Sequence, residues 1–140
     1  MIFNMNDIIY EDNSLLVINK PAGVPVQVDA RSAESTVLTE IQKTYPEAEL
    51  AHRLDKDTSG LLIIAKHHAA YEYVKSLFKN RQIAKTYIAL VSGVISKDDG
   101  VISLAITRSK KDFRKRVATP RVVEGARHAE THFKVLRRFK

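Results

Sequence analysis

Leu61-Leu62-Ile63-Ile64-Ala65 is an apolar run of strand length, and it follows directly on His52-Arg53-Leu54-Asp55-Lys56-Asp57-Thr58-Ser59-Gly60, a stretch with a single plain hydrophobe. A short apolar run bounded by turn residues reads as a buried strand. Asp, Thr and Ser side chains can bond nearby backbone N–H groups, and Gly permits φ > 0 or close backbone approach, so the polar stretch reads as a turn. The chain is thereby constrained to a fold in which a core strand starts at a turn bearing two carboxylates and three cationic or titratable side chains. A polar turn on a rigid strand is a good mount for a catalytic group. For an isolated Asp in a loop, the plainer reading is a capped, solvated turn.

The rest of the chain supplies strands and helices around this point. Ile8-Ile9-Tyr10 and Leu15-Leu16-Val17-Ile18 flank the polar link Glu11-Asp12-Asn13-Ser14 and predict a β-hairpin. Asn19-Lys20-Pro21-Ala22-Gly23-Val24-Pro25 breaks the second strand into a loop, and Lys20 at that strand end could reach a phosphate or a carboxylate. Val37, Leu38, Ile41 and Tyr45 predict a first helix, with Ser35 as N-cap and Pro46 as stop. Ala70, Val74, Leu77 and Phe78 mark one face of a second helix. Ile83 to Val91, rich in β-branched and aromatic residues, predicts a strand with Lys85 and Tyr87 on one face. Asp98-Asp99-Gly100 turns into Val101–Ile106, and a last strand is expected from Glu130 to Leu136. Neither an internal repeat nor a linker is evident, so one domain is expected.

Charge is distributed unevenly. Residues 1–80 hold 8 Lys/Arg against 11 Asp/Glu, and residues 81–140 hold 15 against 5. A basic half on a folded domain can be the footprint of a nucleic-acid surface. The densest part is Arg108-Ser109-Lys110-Lys111-Asp112-Phe113-Arg114-Lys115-Arg116, whose Lys110, Lys111, Arg114 and Lys115 are placed to contact phosphates. A solvated loop is the equal alternative. With no cysteine in the chain, disulfides, thiolate catalysis and Cys-based zinc sites are excluded. No apolar run approaches the ~18 residues of a membrane span, and the N-terminus lacks a signal-peptide pattern. A cytoplasmic protein is therefore expected.

His128 and His132, with Glu130 between them, have a spacing used by zinc-binding helices. Thr131, Phe133 and Val135 favour a strand instead, where four residues separate the two imidazoles by about 13 Å, too far to share one ion. His67-His68 has no partner at ligand spacing. No metal is expected.

His52-Arg53-Leu54-Asp55 with Thr58-Ser59-Gly60 resembles the signature of the RluA-like pseudouridine synthases, the large-ribosomal-subunit type. Asn19-Lys20-Pro21-Ala22-Gly23 resembles that family's first motif, Lys85-Thr86-Tyr87-Ile88-Ala89-Leu90-Val91-Ser92-Gly93 its third, and Gly125 through Leu136, with Ala129 and Thr131, the strand that follows. The motifs come in the family's order and span nearly the whole chain. His52 and Ser59 match the large-subunit type, where the small-subunit type has Gly and Glu.

The resemblance implies a mixed α/β (α+β) fold, mostly antiparallel sheet with flanking helices. It implies isomerisation of uridine to pseudouridine in ribosomal or transfer RNA without metal or organic cofactor. Asp55 would be the essential carboxylate and Tyr87 would stack under the uracil and help remove its C5 proton. Arg53 would enter the RNA or hold a phosphate near the flipped nucleotide, and His52 would contact RNA or bond within the turn. The family's motif rich in Thr, Gly, Arg, His and Gln lies beyond Lys140, so the chain is expected to be the N-terminal part of the catalytic domain, with no separate N-terminal RNA-binding domain. A catalytically incomplete RNA-binding fragment is the alternative reading, and a hydrolase pairing Asp55 with Asp57 a distant third.

Overall fold

The computed structural model describes residues 7–28, 35–109, 111–112, 115–120 and 123–139. They form two compact units, Met1–Tyr87 and Ile88–Lys140. All strand pairing is antiparallel and helices flank the first sheet, in keeping with the expected α+β class.

In the first unit, β1 (Ile8–Glu11), β2 (Leu15–Lys20) and β3 (Gly60–Ala65) form a sheet in that order. The hairpin forms where the apolar segments and their polar link place it; Asp12 Oδ1 accepts from the N–H groups of Ser14 and Leu15 and sets the turn. Register places Leu16 against Ile64, Ile18 against Leu62 and Lys20 against Gly60. The period of two then points Leu16, Ile18 and Lys20 to the same face, and all three are fully buried. The two faces of β3 are buried unequally: Leu62 and Ile64 are fully inside, whereas on the opposite face Ala65 is buried, Ile63 is half-buried and Leu61 is 61% exposed. Its uninterrupted apolar run suggests burial on both faces, and the second face is covered only toward the Ala65 end.

α1 (Val37–Ile41) lays Val37 and Ile41 into this core beside Val26, Ala48 and Leu54. Its N-cap is Thr36, not Ser35: Thr36 Oγ1 accepts from the Thr39 N–H while Thr39 Oγ1 accepts from the Thr36 N–H. The Ser35 hydroxyl instead donates to Glu40. The helix also stops before Tyr45: past Ile41 the chain tightens into i→i−3 bonds, from the Lys43 N–H to Glu40 O and the Thr44 N–H to Ile41 O, and the Ala48 N–H to Tyr45 O bond then turns it again. That turn delivers Glu49 to the outer edge of β3, where it exchanges both backbone bonds with Ala65. α2 (His68–Lys79) is N-capped by His67 Nδ1, which accepts from the Ala70 N–H, and it buries Ala70 and Val74. Leu77 and Phe78 are half-buried on the same side. No helix among the described residues is long and apolar enough to cross a membrane.

The strand expected over Ile83 to Val91 does not form. These residues run irregularly with no strand partner, and Tyr87, Ile88, Leu90 and Val91 are exposed. β-Propensity expresses packing against neighbouring strands, and without a ladder partner it does not make a strand.

In the second unit, β4 (Asp99–Arg108) lies between β5 (Arg116–Thr119) and β6 (Arg127–Lys134). β4 and β5 are the arms of a hairpin, and the described residues of the basic stretch between them, Ser109, Lys111, Asp112 and Lys115, lie at its tip. Ser109 Oγ accepts from the N–H groups of Lys111 and Asp112, and the Ser109 N–H donates to Lys115 O, so the serine organises the turn. A Cβ at Gly100 would lie 2.9 Å from the Phe133 ring, so a larger residue there would make the ring shift. β6 runs further toward its start than the expected Glu130 and includes His128 and His132, which are strand residues.

Candidate active site

The register of β2 against β3 determines what surrounds Asp55. Because Lys20 ends opposite Gly60, the loop after β2 and the turn before β3 leave the sheet side by side. The turn itself is closed by a bond from the Thr58 N–H to Asp55 O, with Lys56 and Asp57 at its centre. Leu54, 6% exposed, anchors it in the core, and Gly60, at φ 123°, takes the chain into β3 through a conformation that other residues avoid.

Lys20 joins the two loops. Its Nζ donates to three carbonyls, those of Pro21, Val24 and Lys56, each at 2.9 Å, which uses all three donors of the ammonium. The Lys56 carbonyl also accepts from the Gly23 N–H at 2.9 Å. Burial pushes the Lys20 pKa down, against the opposing fields of the Asp57 and Asp55 carboxylates. From its position in the sequence Lys20 reads as an exposed strand-end lysine; buried and triply bonded, it is instead the central tie of the site. One signal was legible, in that Lys20 continues the alternation of Leu16 and Ile18 into a Pro- and Gly-containing loop.

His52 holds the other side of the turn. As the outer strand of its sheet, β3 leaves N–H groups without a strand partner, and His52 Nε2 accepts from the Ile63 N–H at 2.9 Å. An accepting Nε2 places the ring proton on Nδ1. The ring stacks on Phe78 of α2 at 4.5 Å between centroids, and Lys85 Nζ lies 5.8 Å from the centre of the same Phe78 ring. Burial, and then the Lys85 charge, lower the His52 pKa. Of the two roles open to His52 from sequence, bonding within the turn is therefore the one with geometry behind it.

Asp55 and Arg53 are exposed, and among the described residues neither side chain has a hydrogen-bond or ion-pair partner. Tyr87 is 60% exposed in the unpaired segment. Lys111 and Lys115 are exposed at the β4–β5 hairpin tip, while Lys110 and Arg114 lie outside the described residues. Among the described residues no three side chains are gathered to hold a metal ion: His132 bonds Glu130, and His128 bonds Ser103.

This site, a carboxylate presented on a turn that two loops and a buried lysine hold in place, can serve a nucleophile or a charge stabiliser. Residues 14–140 match the family model described as RNA pseudouridylate synthase. Among curated relatives, a Bacillus subtilis protein, the uncharacterized RNA pseudouridine synthase YlyB, is 39% identical over 96% of the chain and 46% of that protein. The dual-specificity RNA pseudouridine synthase RluA of Yersinia pestis is 35% identical over 94% of the chain and 63% of that protein. In structure, the chain is similar to human RNA pseudouridylate synthase domain containing 1, with a TM-score of 0.75 and 29% identity over 93% of the chain and 51% of the other. The chain spans about half the length of most of these proteins.

Proposed function

The chain belongs to the RNA pseudouridylate synthase family, and from that premise we propose that it isomerises uridine to pseudouridine in ribosomal or transfer RNA, with Asp55 as the essential carboxylate. The reaction breaks the N1–C1′ bond of the nucleotide, forms a C5–C1′ bond and releases the proton from C5 to solvent, while N1 takes one up, so that atoms balance. It is a redox-neutral rearrangement and needs no co-reactant. Asp55 bears the covalent or ionic intermediate and Tyr87 packs on the uracil and helps remove the C5 proton. Arg53 lies beside Asp55 in sequence with an unpaired guanidinium, which suits it to RNA. The basic stretch that follows β4 in sequence, with Lys110, Lys111, Arg114 and Lys115, contacts phosphates.

The observation that carries this reading is the fixed Asp55 turn. Lys56 O is held by both Lys20 and Gly23, so the carboxylate is presented from a tied backbone rather than from a loose loop. The names of the relatives agree with an RNA substrate, ribosomal in the case of the ribosomal large subunit pseudouridine synthase D of Buchnera aphidicola. A second reading, a catalytically incomplete RNA-binding fragment, is favoured by the absence of a cation paired with Asp55 among the described residues and by the unpaired segment that carries Tyr87.

Release of tritium from RNA labelled at C5 of uridine distinguishes them. The intact chain is expected to release tritium, and Asp55→Asn to release none while binding RNA with nearly wild-type affinity. RNA binding without release by the wild type would leave the fragment reading.

A further inference from the structure

Arg108 and Arg116 are direct cross-strand partners at the ends of β4 and β5, and on the other side of β4 Arg127 is paired with Ile106. With a side-chain period of two, Arg108, Arg116 and Arg127 all stand on one face of the sheet, the first two about 5 Å apart at Cβ and the third diagonal to Arg108. Like charges directly opposite each other destabilise a sheet. Nevertheless all three are exposed, and among the described residues none has a carboxylate partner. They line a groove of about 620 Å³ whose floor includes Ile106 and Ala129.

We propose that this arginine triad is a binding site for the sugar–phosphate backbone of RNA, separate from the lysines of the hairpin tip. It rests on the RNA-modifying reading above and adds a docking element to it. Guanidinium groups engage phosphate oxygens in bidentate fashion, and here they project from paired strands, which fixes their bases in a way a loop cannot. An apolar floor rimmed by three cations suits a chain of phosphates joined by sugars better than a free anion. The excess of 15 Lys/Arg over 5 Asp/Glu in residues 81–140 favours a polyanion. The phosphate also relieves the repulsion between Arg108 and Arg116, so the triad is a place where binding offsets a cost built into the fold.

The test is binding of the full chain to a synthetic hairpin RNA with a uridine-rich loop, measured by fluorescence anisotropy across a range of KCl concentrations. Replacing the three arginines by Gln is expected to lower the steepness of log K against log salt by about 2, from the ~0.7–0.9 that each phosphate contact contributes, and to weaken binding at least about tenfold at moderate salt. The melting temperature should hold or rise, since a repulsive pair has been removed. The triple Lys variant should keep the salt slope and lose affinity through the missing forks. If the Gln variant melts lower than wild type, the Lys variant decides: a wild-type affinity overturns the proposal. Unchanged slope and affinity in a folded Gln variant overturn the triad alone, and Asp55-dependent tritium release in the same preparation would show the synthase reading intact. Absence of any RNA binding by the wild type overturns both.

Discussion

Lys20 occupies the third inward position of β2, where a leucine or isoleucine would continue the pattern. Its ammonium is lodged against carbonyls from both loops. Burying a charge is costly, as the lowered pKa records, and three charge-assisted hydrogen bonds offset it. Lys20→Met keeps the length and apolarity of the stem but leaves the part-buried Pro21 and Val24 carbonyls without that donor. We expect it to destabilise the protein by about 1–3 kcal/mol in urea unfolding. Tritium release should fall further than stability does, because the Lys56 carbonyl loses one of its two ties beside Asp55. Equal losses in the two measurements would mean that Lys20 only supports the core.

His52 yields a prediction in pH. Its folded pKa lies below the unfolded value of about 6.5, so near and below that pH the unfolded chain binds more protons than the folded one. The stability that neutral His52 contributes is complete above pH ~6.5 and is lost as the pH falls through that value toward the lower folded one. Protonation would set an N–H on Nε2 against the Ile63 N–H, with the Lys85 charge adding to the penalty. Urea midpoints measured from pH 8 down to pH 5 should therefore fall more steeply for wild type than for His52→Gln, which retains an acceptor and cannot titrate. Parallel curves would show that His52 is not the titrating group.

Most elements were readable from pattern and turn chemistry, β3, β4 and β6 among them, and the misses came where a residue's role depends on a partner that the pattern does not report. The first hairpin and α2 followed from spacing and turn chemistry, because each is determined by residues close in the chain. The segment from Ile83 to Val91 has the composition of a strand, but a strand exists only beside another, and composition does not report the neighbour. The candidate site divided in the same way. Asp55 and its turn stood out as a polar stretch before an apolar run. Lys20 did not, since its partner Lys56 O is 36 residues away and becomes adjacent only when β2 and β3 are in register. The α1 boundary was wrong by one residue because Ser35 and Thr36 are both good caps. Only the reciprocal bond with Thr39 distinguishes them, and a mutation can test it: Thr36→Ala should cost about 1 kcal/mol, whereas Ser35→Ala should stay within about 0.5 kcal/mol in the same thermal melts.

Across the molecule, burial is concentrated in one unit. Among the described residues every buried hydrophobe except Ala105 belongs to Met1–Tyr87, whereas Val101, Ile102, Ile106 and Val117 in the strands of Ile88–Lys140 are exposed. Hydrophobic burial supplies most of the stabilisation of a fold, and regions with few buried apolar contacts open at lower free energy than the core. The second unit is also the basic one, carrying the hairpin tip and the arginine triad. Amide hydrogen exchange should accordingly give the slowest protons in β2 and β3, at Leu16–Ile18 and Leu62–Ile64, which wait for global unfolding. Amides of β4 and β5 should exchange first through a smaller opening. A ligand that binds only the closed form stabilises it by mass action, so a saturating hairpin RNA should slow exchange in β4 and β5 far more than in β2 and β3. Uniform slowing in all four strands would mean that RNA stabilises the protein as one cooperative body, and no change in β4 and β5 would remove this sheet from the RNA-binding surface.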